Sequence, residues 1–232
     1  ASDTTNSTTE DITVNVTDVN EAPVFTSSTS YSVDENQSSA GQLTASDPEG
    51  NTLIFSLGSG TDDNNLNINS STGVLTFKQN PNYENADSYQ ITASVYDGTN
   101  LVSQNVTINI NNLNEAPSFS SSATFSAAEN QTAIGTVTAT DADGDTITYS
   151  ISGSEITINS SSGVIAFASA PDYETKATYT ETVTASDGTN SNTQDITVNI
   201  TNVNDNNPVI TSSSTFSAAE NQTAIGTVTA TD

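Results

Sequence analysis

The sequence predicts an all-β chain of tandem seven-stranded Greek-key β-sandwiches, and three observations carry that prediction. Short runs of β-branched and aromatic residues alternate with polar ones, as in 52–57 (TLIFSL) and 88–96 (SYQITASVY). Asn, Gly, Ser, Asp and Pro punctuate these runs, and no stretch carries a helical period. The chain also repeats itself: FSAAENQTAIGTVTATD at 125–141 returns letter for letter at 216–232, and 31–47 (YSVDENQSSAGQLTASD) is a diverged copy.

In the first whole copy the strands are predicted at 24–33, 41–46, 52–57, 65–69, 74–77, 88–96 and 101–110. Seven short strands in about ninety residues imply an antiparallel Greek-key sandwich. The second copy follows at an offset of 94 residues early (31 to 125) and 90 later (69 to 159), so four residues are missing from it. The loop 58–65 (GSGTDDNN) is the expected place, because loops tolerate deletion. The segments DVNEAP (18–23), NLNEAP (112–117) and NVNDNNP (202–208) mark the boundaries. They divide the chain into 1–19, the last strand of a preceding repeat; 20–112 and 113–204, two whole repeats; and 205–232, the opening of another.

Composition narrows the function. A net charge of −26, with only Lys78 and Lys176 as cations and no Arg or His, excludes nucleic acid and anionic membranes as partners. Cys is absent, so disulfide and thiolate chemistry are excluded. No apolar stretch suits a signal peptide or a membrane span, and direct membrane insertion is not expected. The Ser, Thr and Asn richness with scarce Lys suits an exported microbial surface protein.

Strand parity decides where the acids fall. If the first strand runs away from the entry end, turns after strands one, three and five lie at the exit end. Turns after strands two, four and six lie at the entry end. In the first repeat Glu35, Asn82, Glu84, Asn112, Asn114 and Glu115 then belong to the exit, and Asp47, Glu49 and Asp97 to the entry. In the second, Glu129, Asp172, Glu174, Asn202, Asn204 and Asp205 belong to the exit, and Asp141, Asp143 and Asp187 to the entry. Acids in DG and NG turns are ordinarily just solvated turn formers. Recurrence of the whole set at the same ends points instead to hard divalent cations, with about six to eight oxygen ligands for Ca²⁺. The run 141–152 is no EF-hand loop, since Thr146 and Ser152 stand where glycine and glutamate are needed. Asp145 reads as a turn residue.

With these motifs placed, the chain resembles tandem cadherin repeats of large bacterial surface adhesins, with an Ig-like architecture. The resemblance implies Ca²⁺, about two to three ions per complete joint between repeats. The middle joint would draw on Glu35, Asn82, Glu84, the linker Asn112, Leu113, Asn114 and Glu115, then Asp141, Asp143 and Asp187. The next would draw on Glu129, Asp172, Glu174 and the linker Asn202, Val203, Asn204, Asp205 and Asn206, with Asp232. The first retains Asp18, Asn20, Glu21, Asp47, Glu49 and Asp97. Asn stands where the family pattern has Asp at 82, 112 and 202, which implies weaker binding.

The function so implied is a calcium-rigidified stalk or fibre segment at the cell surface. Its partners are neighbouring repeats, and other copies in a filament. An alternative is an adhesive module that binds carbohydrate or another copy through the sandwich faces, with tyrosines as a sugar platform. Catalysis is not expected, since the carboxylate pairs are claimed by the joints and no His, Cys or Arg assists them.

Overall fold

The structure is a computed structural model that describes residues 1–2 and 4–231; Asp232, assigned above to a metal site, lies outside the described residues. The chain divides into two compact units, Ala1–Leu113 and Asn114–Asp232. Each has its own core.

In the first unit the strands are β1 (Val24–Phe25), β2 (Ser30–Asp34), β3 (Ser39–Gln42), β4 (Ala45–Ser46), β5 (Ile54–Leu57), β6 (Leu66–Ile68), β7 (Val74–Phe77), β8 (Ser88–Tyr96) and β9 (Leu101–Asn111). They form a four-stranded sheet, β2-β9-β8-β5, and a three-stranded one, β3-β7-β6, with β1 paired to β4. Alternation along β9 shows why: Val106, Ile108 and Ile110 are buried, while Asn105, Thr107 and Asn109 between them are not. Leu43, Leu66, Leu75, Ile91, Val95, Val106 and Ile108 fill the core from both sheets. Each such side chain contributes about 1.5–3 kcal/mol on burial.

Two predicted strands each divide in two. The first becomes β1, antiparallel to β4 (Val24↔Ser46), and β2, parallel to β9 (Ser30↔Thr107). The purely antiparallel sandwich expected above is therefore corrected: first and last strands run the same way. The chain changes sheets between them, which periodicity cannot reveal. The second predicted strand divides into β3 and β4, with a bulge between Ser39 and Gly41.

The second unit repeats the plan: β10 (Ser118–Phe119), β11 (Thr124–Ala128), β12 (Ala133–Thr136), β13 (Ala139–Thr140), β14 (Thr148–Ile151), β15 (Ile156–Ile158), β16 (Val164–Phe167), β17 (Thr178–Ser186) and β18 (Ser191–Thr201). Its sheets are β11-β18-β17-β14 and β12-β16-β15, again with β11 parallel to β18. Val137, Ile156, Ile165, Val183, Ile196 and Val198 lie at its centre. A further pair, β19 (Val209–Ile210) and β20 (Ala230–Thr231), follows.

Loop 58–65 is not the slack insertion that its composition suggests. It contains the one helical element among the described residues, a 3₁₀ turn at Asp63–Asn65. The buried Asp63 carboxylate ties that turn to the sheet, accepting from Gly60 N at 2.6 Å and Thr92 N at 2.9 Å. Where the second unit is shorter, Ser152 Oγ takes over, accepting from Thr182 N at 2.9 Å. No helix among the described residues is long and apolar enough to cross a membrane.

Candidate metal-binding ends of each unit

The exit end of the first unit is organised by Glu35, which follows β2. Asn36 adopts φ 64°, a left-handed conformation that Asn tolerates, and turns the chain there. Glu35 itself is fully buried. Its Oε2 accepts from Tyr83 N at 3.0 Å and its Oε1 from Leu113 N at 2.8 Å. One carboxylate thus gathers the loop after β7 and the segment after β9. Carboxylate oxygens of Glu35 and Glu84 lie within 4.8 Å. Asn82 Oδ1 is engaged by Asn85 N at 3.0 Å, and Asn112 is exposed just past β9.

The second unit builds the same end. Asn130 turns the chain at φ 62°, and Glu129, 2% exposed, accepts from Tyr173 N at 2.8 Å and Val203 N at 2.6 Å. Carboxylate oxygens of Glu129, Glu174 and Asp205 all lie within 4.8 Å of one another. Asn202 Nδ2 donates to Glu174 at 3.0 Å, and Asn130 Nδ2 donates to Asp205. The Thr175 hydroxyl, against the opposing effect of burial, holds Asp172 below its ordinary pKa, with the Thr175 and Glu174 N–H groups adding to it. Asn204 and Asn206 are exposed.

At the entry end of the first unit Asn20, Glu21, Asp47, Glu49 and Asp97 come together. Asn20 Nδ2 donates to Asp97 at 2.9 Å, and Glu49 accepts from Glu21 N at 3.0 Å. Burial pushes Asp97 up, but four hydrogen bonds, from the Asn100 and Thr99 N–H groups and the Asn20 and Asn100 amides, outweigh it and hold the carboxyl at about 2. Glu49 is pushed up, chiefly by a hydrogen bond with the Glu21 side chain and then by burial, against the Glu21 N–H that lowers it. Asp47 Oδ1 accepts from Glu49 N and Asn51 N at 3.1 and 2.9 Å. Asp18 stays exposed on irregular backbone.

The entry end of the second unit matches. Asn114 Nδ2 donates to Asp187 at 2.7 Å, and Glu115 N to Asp143 at 3.0 Å. Burial raises Asp187, but the Asn114 amide and the Thr189 and Asn190 N–H groups bring it below its usual value. Asp141 Oδ1 accepts from Asp145 N at 3.2 Å, which fits Asp145 as a turn residue.

A cation fits this donor set. Asp47 Oδ2 and Asp141 Oδ2 are buried without a hydrogen-bond partner among the described residues, a costly state for a carboxylate oxygen. Lys176 pairs with Glu155, and Lys78 with the Asn64 carbonyl, so both basic side chains are engaged elsewhere. The available atoms are carboxylate, amide and carbonyl oxygens, a hard-ion set.

Sequence reading missed the amides that brace the acids. Asn51 donates to Asn20 at 2.6 Å, and Asn190 to the Asn114 carbonyl at 2.8 Å. The DGTN recurrence at 97–100 and 187–190 carries the signal for Asn100 and Asn190.

Comparison with known proteins adds the family. The profile of the cadherin domain matches residues 123–201, and that of a bacterial Ig domain matches residues 20–110. Protocadherin Fat 1 of Homo sapiens is 33% identical over 68% of this chain, which spans 4% of that protein's length; Cadherin-99C of Drosophila melanogaster is 34% identical over 62%, with 9% of its length spanned. Among solved structures, the protocadherin GammaB4 extracellular domain matches with a TM-score of 0.55 and 25% identity, covering 94% of this chain and 39% of that one.

Proposed function

Because the chain is built of tandem cadherin-like repeats, we propose that it is a calcium-rigidified, extracellular stalk segment of a microbial cell-surface adhesin. The repeats of that array are 20–112 and 113–204, flanked by parts of two others. Ca²⁺ is held where the exit end of one repeat is linked to the entry end of the next. Glu35, Asn82, Glu84, Asn112, Asn114, Glu115, Asp141, Asp143 and Asp187 serve the middle joint. Glu129, Asp172, Glu174, Asn202, Asn204, Asp205 and Asn206 serve the one after it, and Leu113 and Val203 offer carbonyls. Asp18, Asn20, Glu21, Asp47, Glu49 and Asp97 serve the one before.

The observation that carries this reading is the cluster of Glu129, Glu174 and Asp205 within 4.8 Å at the end of the second unit. Like charges that close repel unless a proton or a cation intervenes. The bacterial Ig match over 20–110 supports a microbial setting. Ions at the joints limit swinging between repeats, so the array reaches outward by roughly 40 Å per repeat. Reach and stiffness are then its contribution to adhesion.

Small-angle X-ray scattering of the chain in EGTA and in millimolar Ca²⁺ tests the proposal. The expected result is a larger maximum dimension with Ca²⁺, abolished in Glu84→Ala/Asp143→Ala. Identical curves in both buffers would sink it and leave the acids as solvated turns.

A further inference from the structure

The two units differ on one flank of the sandwich. In the first, a cleft of about 380 Å³ is lined by Asn64, Asn65, Lys78, Gln79, Asn80 and Asn85. Asn82 and Tyr89 complete the lining. Its loop wall belongs to the four-residue insertion peculiar to this repeat, and that wall is fixed. Besides the Asp63 anchors, Asp62 accepts from Gln90 N at 2.7 Å, and Lys78 donates from N to Asn65 O at 2.9 Å and from Nζ to Asn64 O at 2.7 Å.

At the offset of 90, Asn65 becomes Glu155, Lys78 becomes Ala168, Gln79 becomes Ser169, Asn80 becomes Ala170 and Ala86 becomes Lys176. The second unit uses these changes to cap its aromatic ring: Lys176 Nζ lies 4.3 Å from the Tyr179 ring centroid and pairs with Glu155. In the first unit Asn65 and Ala86 occupy those two positions. The Tyr89 ring, tilted against Phe77 at 5.1 Å, is half-buried there without that cap.

We infer that this cleft binds a neutral saccharide. Asn80 Nδ2 donates to Asn36 O at 2.8 Å and Asn65 Nδ2 to Asp62 at 3.5 Å, which orients their amide oxygens as acceptors beside the amides of Asn64, Gln79 and Asn85. An amide side chain offers donors and an acceptor in one plane, which suits sugar hydroxyls that both give and take hydrogen bonds. The tyrosine ring offers an apolar surface with a polar tip. The cleft volume falls in the range of small-ligand sites. Polyanions are disfavoured, because the chain carries −26 and the Lys78 ammonium is already engaged by Asn64 O. The cleft shares Asn82 with the exit end of the unit, so sugar binding is read in EGTA, apart from any ion.

The test is an NMR titration of the 232-residue chain in EGTA with maltotriose, cellotriose, mannotriose and chitotriose. The expected result is that at least one shifts the side-chain amide signals of Asn64, Asn65, Gln79, Asn80 and Asn85, with a dissociation constant of about a millimolar or below. The variant Asn65→Glu/Ala86→Lys installs the second unit's own cap, so it is expected to fold and to bind at least about tenfold more weakly. An unchanged backbone spectrum for the variant certifies that the loss is local. Silence with all four sugars, shifts confined to other surfaces, or equal affinity in the capped variant would each overturn the inference. So would binding seen only with an anionic polysaccharide or an unstructured peptide.

Discussion

Glu129 and Glu35 show how one side chain can serve the fold before it serves an ion. Each is buried, and each ties together two backbone segments remote in sequence through two N–H groups. Glu129→Ala therefore leaves the part-buried Tyr173 and Val203 N–H groups without their acceptor. A loss of about 1–3 kcal/mol is expected in EGTA, read by urea unfolding, with Glu129→Gln milder because it keeps one acceptor. Equal stability of wild type and Glu129→Ala would mean that the carboxylate matters only for ions. Asp97 permits a prediction about pH. Its folded pKa of about 2 lies below the ordinary 3.8, so its contribution is complete above the ordinary value and is lost as pH falls toward 2. In EGTA, the melting temperature of wild type should drop more steeply between about pH 4 and 2 than that of Asp97→Asn. Parallel profiles would refute the role of its four hydrogen bonds. Parity made Glu35, Glu129 and Asp97 visible as end residues, but not the two glutamates as staples, because their partners are backbone groups that only the fold brings near.

At the scale of elements, the strands at 74–77 and 88–96 were legible to the residue from alternation and turn residues. Division of the first strand was not, since Ser27 and Ser28 carry no turn signal that separates a sheet change from a continuous edge. The bulge in β3 was equally hidden. There Gly41 has φ 121°, and a Cβ added to it would stand 2.7 Å from Tyr31 Cδ1. Its counterpart Gly135 has no positive φ, and its nearest contact, Phe125 Cδ1, is at 3.1 Å. Gly41→Ala is therefore expected to cost about 1–3 kcal/mol, and Gly135→Ala less, by denaturant unfolding. The reverse order would refute both grounds, since Gly41 carries the positive φ and the closer ring contact alike. The loop at 58–65 holds a related lesson. Its composition reads as slack, yet Asp63 binds it to β8, and the shorter second repeat keeps the sheet closed through a serine hydroxyl. The shorter loop has a substitute acceptor in place.

For the whole molecule, the repeat pattern made the tandem architecture readable, but identity of sequence was not enough for strands: 216–228 repeats 125–137 and yet forms no counterpart of β11 or β12, which pair with β18 and β16 of their own repeat. A net charge of −26 leaves a question that only measurement of the entire chain resolves: whether calcium acts at specific sites or as a screening salt. Screening is gradual, with a Debye length of about 8 Å at physiological ionic strength and about 3 Å at 1 M, and it is indifferent to which cation is used. Site binding saturates, contributing about 2.7 kcal/mol when Ca²⁺ is a hundredfold above its dissociation constant. It also discriminates against Mg²⁺, which demands a tighter octahedral shell. Thermal melts should therefore rise steeply and level off with Ca²⁺, while Mg²⁺ and NaCl at matched ionic strength give a smaller, unsaturated rise. Glu174→Gln/Asp205→Asn should remove part of the calcium response and leave the NaCl response nearly intact, because it dissolves one cluster while changing the net charge by only two. If the Ca²⁺ and NaCl curves superimpose at equal ionic strength, the acids at the repeat ends act as a diffuse charge cloud, and stiffness would have to come from the linkers themselves.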